Sequence, residues 1–154
     1  MRILGFAVGV ALALVTLPAA RAQAPCPDVQ TAMSLAGVGV EMQVGAVNAR
    51  RQSGLMAGED AAFDVVYTAL NEAGVHVHYL ISIYQILPQI ARGPGRDALS
   101  TSIIPAAARD IGSSLALADQ VLPRVRNPEA RAMLQRGVEV RRALGREFER
   151  CRVQ

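Results

Sequence analysis

The only two histidines of the chain, His76 and His78, lie two positions apart in the stretch NEAGVHVHYLISIYQILP. Histidine binds metal ions and haem iron and carries protons near neutral pH, so this pair is the first candidate for a chemical site. The residues around the pair alternate between apolar and polar, as they do in a half-buried strand. On a strand the two imidazoles would share one face, whereas on a helix they would point about 200° apart.

A helix fits the longer segment around this pair better than a strand. On a helical wheel the polar residues of the segment form one arc, which contains Asp64, Thr68, Asn71, His78, Ser82, Gln85 and Gln89. The opposite arc is apolar and contains Phe63, Val66, Leu70, Ala73, Val77, Leu80, Ile81, Tyr84 and Leu87. We therefore expect one amphipathic helix, which Gly74 could split, and two histidines that cannot bind the same metal ion.

One smaller candidate site remains on this helix. Glu72 and His76 are four residues apart, so they share a helix face and could hydrogen-bond or hold a metal ion together. Non-covalent haem needs a His/Met or His/His axial pair, which His76 could form with Met33, Met42 or Met56 of the first helical region. Haem or metal binding is therefore the alternative function, although a histidine at the edge of a helix is more often oriented by a carboxylate without any cofactor.

The sequence contains no motif of a known catalytic site. There is no G-x-S-x-G, no phosphate-binding P-loop, no G-x-G-x-x-G and no H-E-x-x-H. The serines of the third helical segment lack a histidine and an acid in a matching pattern. We therefore expect a binding or interaction module rather than an enzyme, and no cofactor.

The N-terminal segment predicts export. One arginine precedes an uncharged run over residues 3–20, and small residues follow this run. This order is typical of a secretory signal peptide. We expect cleavage after Ala22, with Ala24 as the competing site, so that 1–22 is removed and 23–154 forms a single domain. A retained membrane anchor is the alternative, but with cleavage the protein is periplasmic or secreted and has no membrane span.

Loss of the leader leaves a nearly neutral chain with a basic C-terminal part. The full chain carries a formal net charge of +3, and removal of Arg2 and Arg21 leaves 14 arginines against 13 acidic residues. The part after Pro123 holds 9 of these arginines and 4 of the acids. We expect an outward basic face formed by Arg136, Arg141, Arg142, Arg146 and Arg150. This face could contact an envelope protein or an anionic surface, and nucleic acid is not an expected partner of an exported protein.

The two cysteines, Cys26 and Cys151, lie at opposite ends of the mature chain. An even number of cysteines in an exported protein most often forms disulfides, and neither a CxxC nor a zinc-type spacing occurs here. We expect a Cys26–Cys151 bridge, with free or intermolecular thiols as the alternative. The bridge requires both ends of the chain to lie side by side.

Three stretches rich in Gly, Pro and charged residues divide the mature chain into four segments of helical length. We expect helices at about 28–52, 60–90, 97–122 and 128–151. In the third, Pro105 should kink the helix or end its first turns. The apolar stripe of the third helix is Ile104, Ala108, Ile111, Leu115, Ala118 and Leu122, and that of the last is Ala130, Met133, Gly137, Val140, Leu144, Phe148 and Cys151.

The first segment is ambiguous, because residues 35–47 alternate like a strand. A helix also fits, with an apolar stripe of Val29, Met33, Ala36, Val40, Val44 and Val47. Its glycines Gly37, Gly39 and Gly45 would be explained if a neighbouring helix packs unusually close. Taken together, the patterns predict an all-α, up-down-up-down four-helix bundle whose termini are joined by a disulfide.

Overall fold

The computed structural model describes residues 27–151 of the protein, and every regular element in this range is helical. The helices are α1 (Val29–Gln52), α2 (Ala61–Ile86), α3 (Pro94–Ala98), α4 (Ile104–Val121) and α5 (Pro128–Cys151). A π-helical turn, Leu99–Ile103, joins α3 to α4, and 3₁₀ turns follow α2 and α4 at Leu87–Gln89 and Leu122–Arg124. Since α3, the π turn and α4 follow one another without a break, residues 27–151 form four long helices. The predicted all-α four-helix fold is confirmed.

Neighbouring helices run antiparallel. Along α1 and α2, Arg50 pairs with Asp64 near the connecting loop and Gln43 reaches Asn71 further away from it. Across the α1–α5 contact, the side chain of Asn127 donates to the carbonyl of Ala49, while residues later in α5 lie beside earlier residues of α1. α1 packs mainly on α5, and α2 packs mainly on α4. The line of contact between α1 and α2, called the α1–α2 seam below, is therefore less extensive than either of these contacts.

Pro105 explains the π turn that precedes it. A proline inside a helix has no N–H to donate, and its ring meets the carbonyl four residues earlier, here that of Thr101. The backbone takes up this conflict by widening over Leu99–Ile103 and returns to α geometry at Ile104. The helix is therefore not ended by Pro105. Gly74 likewise does not split α2, which is continuous from Ala61 to Ile86.

The predicted stripes of α2 and α4 are the buried ones. Every residue expected on the stripe of the third helix is buried, and in α2 only Leu87 of the expected arc is left partly exposed. In α5 the expected Ala130, Gly137, Leu144, Phe148 and Cys151 are buried. Leu134, Val138 and Arg141 are buried as well, whereas Met133 and Val140 are only partly covered. The stripe of α5 is therefore rotated slightly from the predicted one.

The segment 35–47 is helical, but the buried face of α1 is rotated from the predicted one, of which Ala36 is buried and Val29 and Val47 are partly buried. The helix buries a row of small and polar residues, namely Ala32, Ala36, Gly39, Gln43, Ala46, Ala49 and Arg50. The larger apolar residues expected in the core lie outside, with Met33 47%, Val40 47% and Val44 54% exposed. The small side chains face inward because α1 lies very close to α5. Side-chain size predicts the stripe of larger residues as the core face, whereas the short distance to α5 selects the neighbouring row of small residues, and Ala36 belongs to both.

Two of the three glycines in question are explained by this close approach. A Cβ on Gly39 would lie 2.9 Å from Nη1 of Arg141, and one on Gly45 would lie 2.7 Å from the sulfur of Met133. Real Cβ atoms do not approach other atoms this closely, so α5 packs where side chains of α1 would otherwise stand. Gly37 has no such reason, since a Cβ there would meet nothing within 4 Å.

Asp60 ties two loops together at one end of the bundle. It is the N-cap of α2, only 2% exposed, and its Oδ1 accepts from the N–H of Phe63 at 3.1 Å. Its Oδ2 accepts from the N–H of Arg126, 2.9 Å away, in the loop before α5. One buried carboxylate therefore caps a helix and holds the α4–α5 loop against it.

Two predictions concern residues outside the described range. The signal peptide, residues 1–22, lies there, and so does Cys26, so the structure does not describe the partner proposed for Cys151. Cys151 itself is buried at the last turn of α5. Within residues 27–151, no helix has the length and hydrophobicity that a membrane crossing requires.

We expect Asp60→Ala to lower the free energy of unfolding by about 2–3 kcal/mol, because it removes a helix cap and takes the acceptor from the partly buried hydrogen bond of the Arg126 N–H. Urea unfolding followed by circular dichroism at 222 nm measures the change. The matched control is Asp28→Ala, which removes the solvent-exposed cap of α1 and should cost less. Equal losses in the two variants would show that the Arg126 contact contributes nothing.

Candidate functional site

The arginine expected on the outer face of the last helix is instead in the core. Arg141 is 4% exposed and lies between α1, α2 and α5, so the prediction that it faces outward is wrong. The spacing contains the reason, since Arg141 follows Gly137 by four residues and precedes Leu144 by three, on the buried stripe itself. Sequence reasoning placed it outside because it carries a charge.

The hydrogen bonds of Arg141 leave part of its guanidinium unused. Nη1 donates to the carbonyl of Gly39 at 3.3 Å and to that of Gly137 at 3.2 Å. Nη2 donates to Oε1 of Gln43. Nε is buried and has no hydrogen-bond partner. A buried N–H without an acceptor is rare in folded proteins and needs an explanation.

Three helices each supply a glycine around this guanidinium. A Cβ on Gly39 of α1 would lie 2.9 Å from Nη1, one on Gly74 of α2 would lie 3.4 Å from Nη2, and one on Gly137 of α5 would lie 3.5 Å from Nη1. These three positions, Gly39, Gly74 and Gly137, are called the glycine collar below. Of the three, only Gly39 lies closer to the guanidinium than a Cβ allows, whereas a Cβ on Gly74 or Gly137 would touch it at ordinary contact distance.

The charge of Arg141 has no counter-ion in the described part of the chain. Among residues 27–151 no aspartate or glutamate forms an ion pair with it. The other buried arginine, Arg50, does have a partner, because its Nη1 lies 2.6 Å from Asp64 and its guanidinium stacks over Phe63. Burial lowers the pKa of Arg141 to about 10, so the group is still positively charged at neutral pH. An uncompensated buried cation opposes folding by several kcal/mol.

A groove of about 350 Å³ opens beside this charge, along the thin seam between α1 and α2. Its polar lining consists of Gln43, Asn71, His78 and Arg141. Its apolar lining consists of Ala36, Val40, Val75, Val77 and Leu144, and Gly74 of the collar lies between the two groups. This is the size and the mixture of surfaces found in small-molecule sites, with mostly apolar walls and a few polar groups.

Gln43 connects the buried charge to the polar side of the groove. Its Oε1 accepts from Arg141, and its Nε2 donates to Oδ1 of Asn71 at 2.8 Å and to the carbonyl of Tyr67 at 3.4 Å. The amide is therefore held in one orientation, with its oxygen toward the guanidinium. His78, at the groove, donates from Nδ1 to the carbonyl of Gly74 at 2.9 Å. The lining contains no serine, cysteine or acidic residue.

The candidate metal or haem residues point to different neighbours. His76 faces α4, where its Nε2 lies 4.0 Å from Asp110, and Glu72 lies 3.4 Å from Ser114 of the same helix. Met42 instead faces α5 beside Gly137. The structure therefore does not bring His76 and Met42 together. Within residues 27–151 no cluster of three His, Cys, Asp or Glu side chains could hold a metal ion.

The remaining arginines of the predicted basic face do not form one uniform surface. Arg136 and Arg146 are exposed, whereas Arg142 pairs with Asp119 of α4 and Arg150 pairs with Glu147 one turn earlier. Without Arg141, the face holds four arginines, two of which are neutralised locally.

Comparison with known protein families finds no match, and neither a curated protein nor a solved structure is detectably similar to this chain. The function must therefore be argued from the groove itself.

The collar is tested by two substitutions two residues apart in α1. We expect Gly39→Ala to lower the free energy of unfolding by about 1–3 kcal/mol, because its Cβ would lie 2.9 Å from a hydrogen-bonded nitrogen of Arg141. Gly37→Ala, whose Cβ meets nothing, should raise it by about 1 kcal/mol through helix propensity. Urea unfolding measures both values. A gain in stability on Gly39→Ala would contradict the close packing around the guanidinium.

Proposed function

We propose that this protein is an exported binding module whose α1–α2 groove takes a small ligand with an anionic group. One observation carries the proposal: the guanidinium of Arg141 is buried beside a groove without a counter-ion and with an unpartnered Nε. A negatively charged ligand in the groove would supply the missing charge.

The groove also argues for binding rather than for a reaction. Its walls are apolar and its polar groups are amides, one imidazole and one guanidinium. Positions that break the rules of local stability, such as a buried unpaired charge or glycines inside helices, concentrate at functional sites. No reaction is assigned to the groove.

The other roles derived from the sequence stay predictions. Contact with an envelope protein or an anionic surface would now depend on Arg136 and Arg146, the exposed members of the basic face that form no ion pair within residues 27–151. Haem or metal binding would have to use His76 without Met42, because the two residues face different helices. The groove has the stronger support, since its charge is already buried and its space is already open.

The disulfide between Cys26 and Cys151 is part of this proposal. Gly39 of α1 lies beside Arg141 of α5, and the two helices are antiparallel. Ten residues from Gly39 toward the start of α1 is Val29, and ten residues from Arg141 toward the end of α5 is Cys151. This register supports the bridge, because it brings the beginning of α1 to the buried thiol position.

The binding role is tested by comparing the wild type with Arg141→Met. We expect sodium octanoate, sodium octyl sulfate or octyl phosphate to raise the melting temperature of the wild type, since a ligand at a hundred times its Kd adds about 2.7 kcal/mol. Arg141→Met should be about 1–3 kcal/mol more stable without a probe, because it removes the uncompensated charge, and should not respond to any of the three. Arg109→Met, at an exposed position of α4, is the matched control and should respond like the wild type. If none of the probes stabilises the wild type more than Arg141→Met, the proposal is wrong.

Export and the disulfide are tested together on the protein recovered from the periplasm or the medium. We expect an intact mass that corresponds to a chain beginning at Gln23 and lacking two hydrogens, and no reaction of the unfolded, unreduced protein with a thiol reagent. Reduction should expose two thiols and lower the urea midpoint, since the bridge would close a loop of more than 100 residues. Two reactive thiols before reduction would rule out the bridge.

A further inference from the structure

One apolar stripe of α1 lies on the outside of the bundle. Met33, Gly37, Val40 and Val44 follow one another at steps of four, three and four residues, so they lie on one side of the helix. These four residues are called the exposed stripe below, because each of them is exposed to solvent. Contiguous apolar surface of this kind is typical of a contact site for another molecule.

Gly37 is the member of the exposed stripe that the single chain does not explain. A Cβ there would meet nothing within 4 Å, although glycine weakens a helix relative to alanine. Gly39 and Gly45 of the same helix give room to side chains of α5. By the same reasoning, Gly37 would give room to a side chain of a molecule outside the bundle.

The exposed stripe matches itself when two copies of α1 run antiparallel. Its spacing is symmetric about the point midway between Gly37 and Val40. A two-fold axis at this point places Gly37 opposite Val40 of the second copy, and Met33 opposite Val44 of the second copy. At the centre of the contact a residue without a side chain then faces a larger one, which lets the two helices approach closely.

α2 is consistent with the same axis. Gln43 of α1 is hydrogen-bonded to Asn71 of α2, and the two helices are antiparallel. The middle of the exposed stripe lies about four residues before Gln43, so it is level with a point about four residues after Asn71. Val75 lies at that point and is 67% exposed, and it lines the groove together with Val40. An axis that crosses both helices at this level also brings Val75 toward Val75 of the second copy.

The outer side of α1 and α2 on which the groove opens, called the α1–α2 face below, has a suitable size and charge. Antiparallel α1 helices centred on the exposed stripe overlap over residues 29–48, which is about 30 Å, and two helices side by side are about 20 Å wide. The overlap is thus about 600 Å² on each copy, whereas specific interfaces begin near a total of about 1,000 Å². The exposed stripe and Val75 are uncharged, and Glu41 lies beside the stripe rather than on it, so a second copy meets no charge at the centre.

We infer that this protein forms a two-fold symmetric dimer through the α1–α2 face, with antiparallel α1 helices in contact along the exposed stripe. The groove opens on this face between Val40 and Val75, so the two grooves of the dimer would open toward one another. The contact needs no ligand, so this inference goes beyond the proposed function and does not depend on it.

Sedimentation velocity of the mature protein over a range of concentrations tests the dimer, which we expect to form as the concentration rises. Val44→Glu puts a carboxylate into the apolar contact twice in each dimer and should weaken association about a hundredfold. Val38→Glu is the matched control, because Val38 is also an exposed valine of α1 but lies about 100° or more around the helix from every residue of the exposed stripe. Gly37→Ala should weaken association about tenfold by overfilling the contact, although it favours the helix itself. Circular dichroism checks that each variant is folded.

Cysteine substitutions test the position of the axis. The two copies of Val40 would be three residues apart along the antiparallel helices, about 4.5 Å, which is within reach of a disulfide. The two copies of Val44 would be eleven residues apart, about 16 Å, which is too far. We expect Val40→Cys to give a covalent dimer on oxidation and Val44→Cys to give none, with the wild type as the background for the native cysteines.

Several outcomes would overturn the inference. One is a wild type that is monomeric at every concentration, and another is a dimer that Val44→Glu leaves intact. If the monomeric wild type floats with phosphatidylglycerol vesicles and Val44→Glu does not, the exposed stripe contacts a lipid surface instead of a second copy. Covalent dimers of both cysteine variants, as parallel helices would give, or of neither variant, would contradict the antiparallel arrangement.

Discussion

The burial of one guanidinium determines how the helices of this bundle approach one another. Arg141 extends from α5 into the space between α1 and α2, and it is held there by the carbonyls of Gly39 and Gly137 and by the amide of Gln43. A long side chain in that position needs room, and Gly39 provides it, whereas a Cβ on Gly74 or Gly137 would touch the guanidinium at ordinary contact distance. The same arrangement rotates the buried face of α1, because a helix that lies against a buried arginine and a methionine can present only small side chains to them. Val38, Val40 and Val44 are therefore exposed to solvent.

This arrangement works against the stability of the fold in two ways. Glycines in the middle of helices weaken them, and a cation without a counter-ion is poorly solvated in the interior. Elsewhere Asp60 satisfies two backbone N–H groups, and Arg50 is paired with Asp64, although its Nε is buried without a partner like that of Arg141. What distinguishes Arg141 within residues 27–151 is the lack of a counter-ion, and a groove opens beside it. Because the buried charge and the groove lie together, we propose the Arg141 region as the functional site of the protein.

The buried face of a helix could be predicted from the sequence where the polarity and the size of its side chains pointed to the same residues. In α2 and α4 the large apolar residues are also the buried ones, so the periodicity identified both helices and their faces. In α1 size misled, because the interior there is crowded and Ala46 is buried while Val44 is not. In α5 the charge of Arg141 gives the wrong prediction, because a charged residue is expected at the surface. Its spacing from Gly137 and Leu144 places it on the buried stripe. The groove could not be predicted at all, since it depends on the approach of helices that are distant in sequence. A signal did exist in the glycines of three helices, but only the register between the helices shows that they surround one side chain.

The link from Asp60 to Arg126 has a mechanical consequence. Together with the bond from Asn127 to Ala49, it fixes the loop end of α1 and α2 to the loop before α5. From Ala49 to Ala36 at the groove the helix rises about 20 Å. A rotation of α1 by about 5° around the fixed end would therefore move its groove residues by nearly 2 Å, at that rise per residue. At the groove α1 is also hydrogen-bonded to α5 through Gly39 and Gln43, so such a rotation would have to carry Arg141 with it or break its bonds.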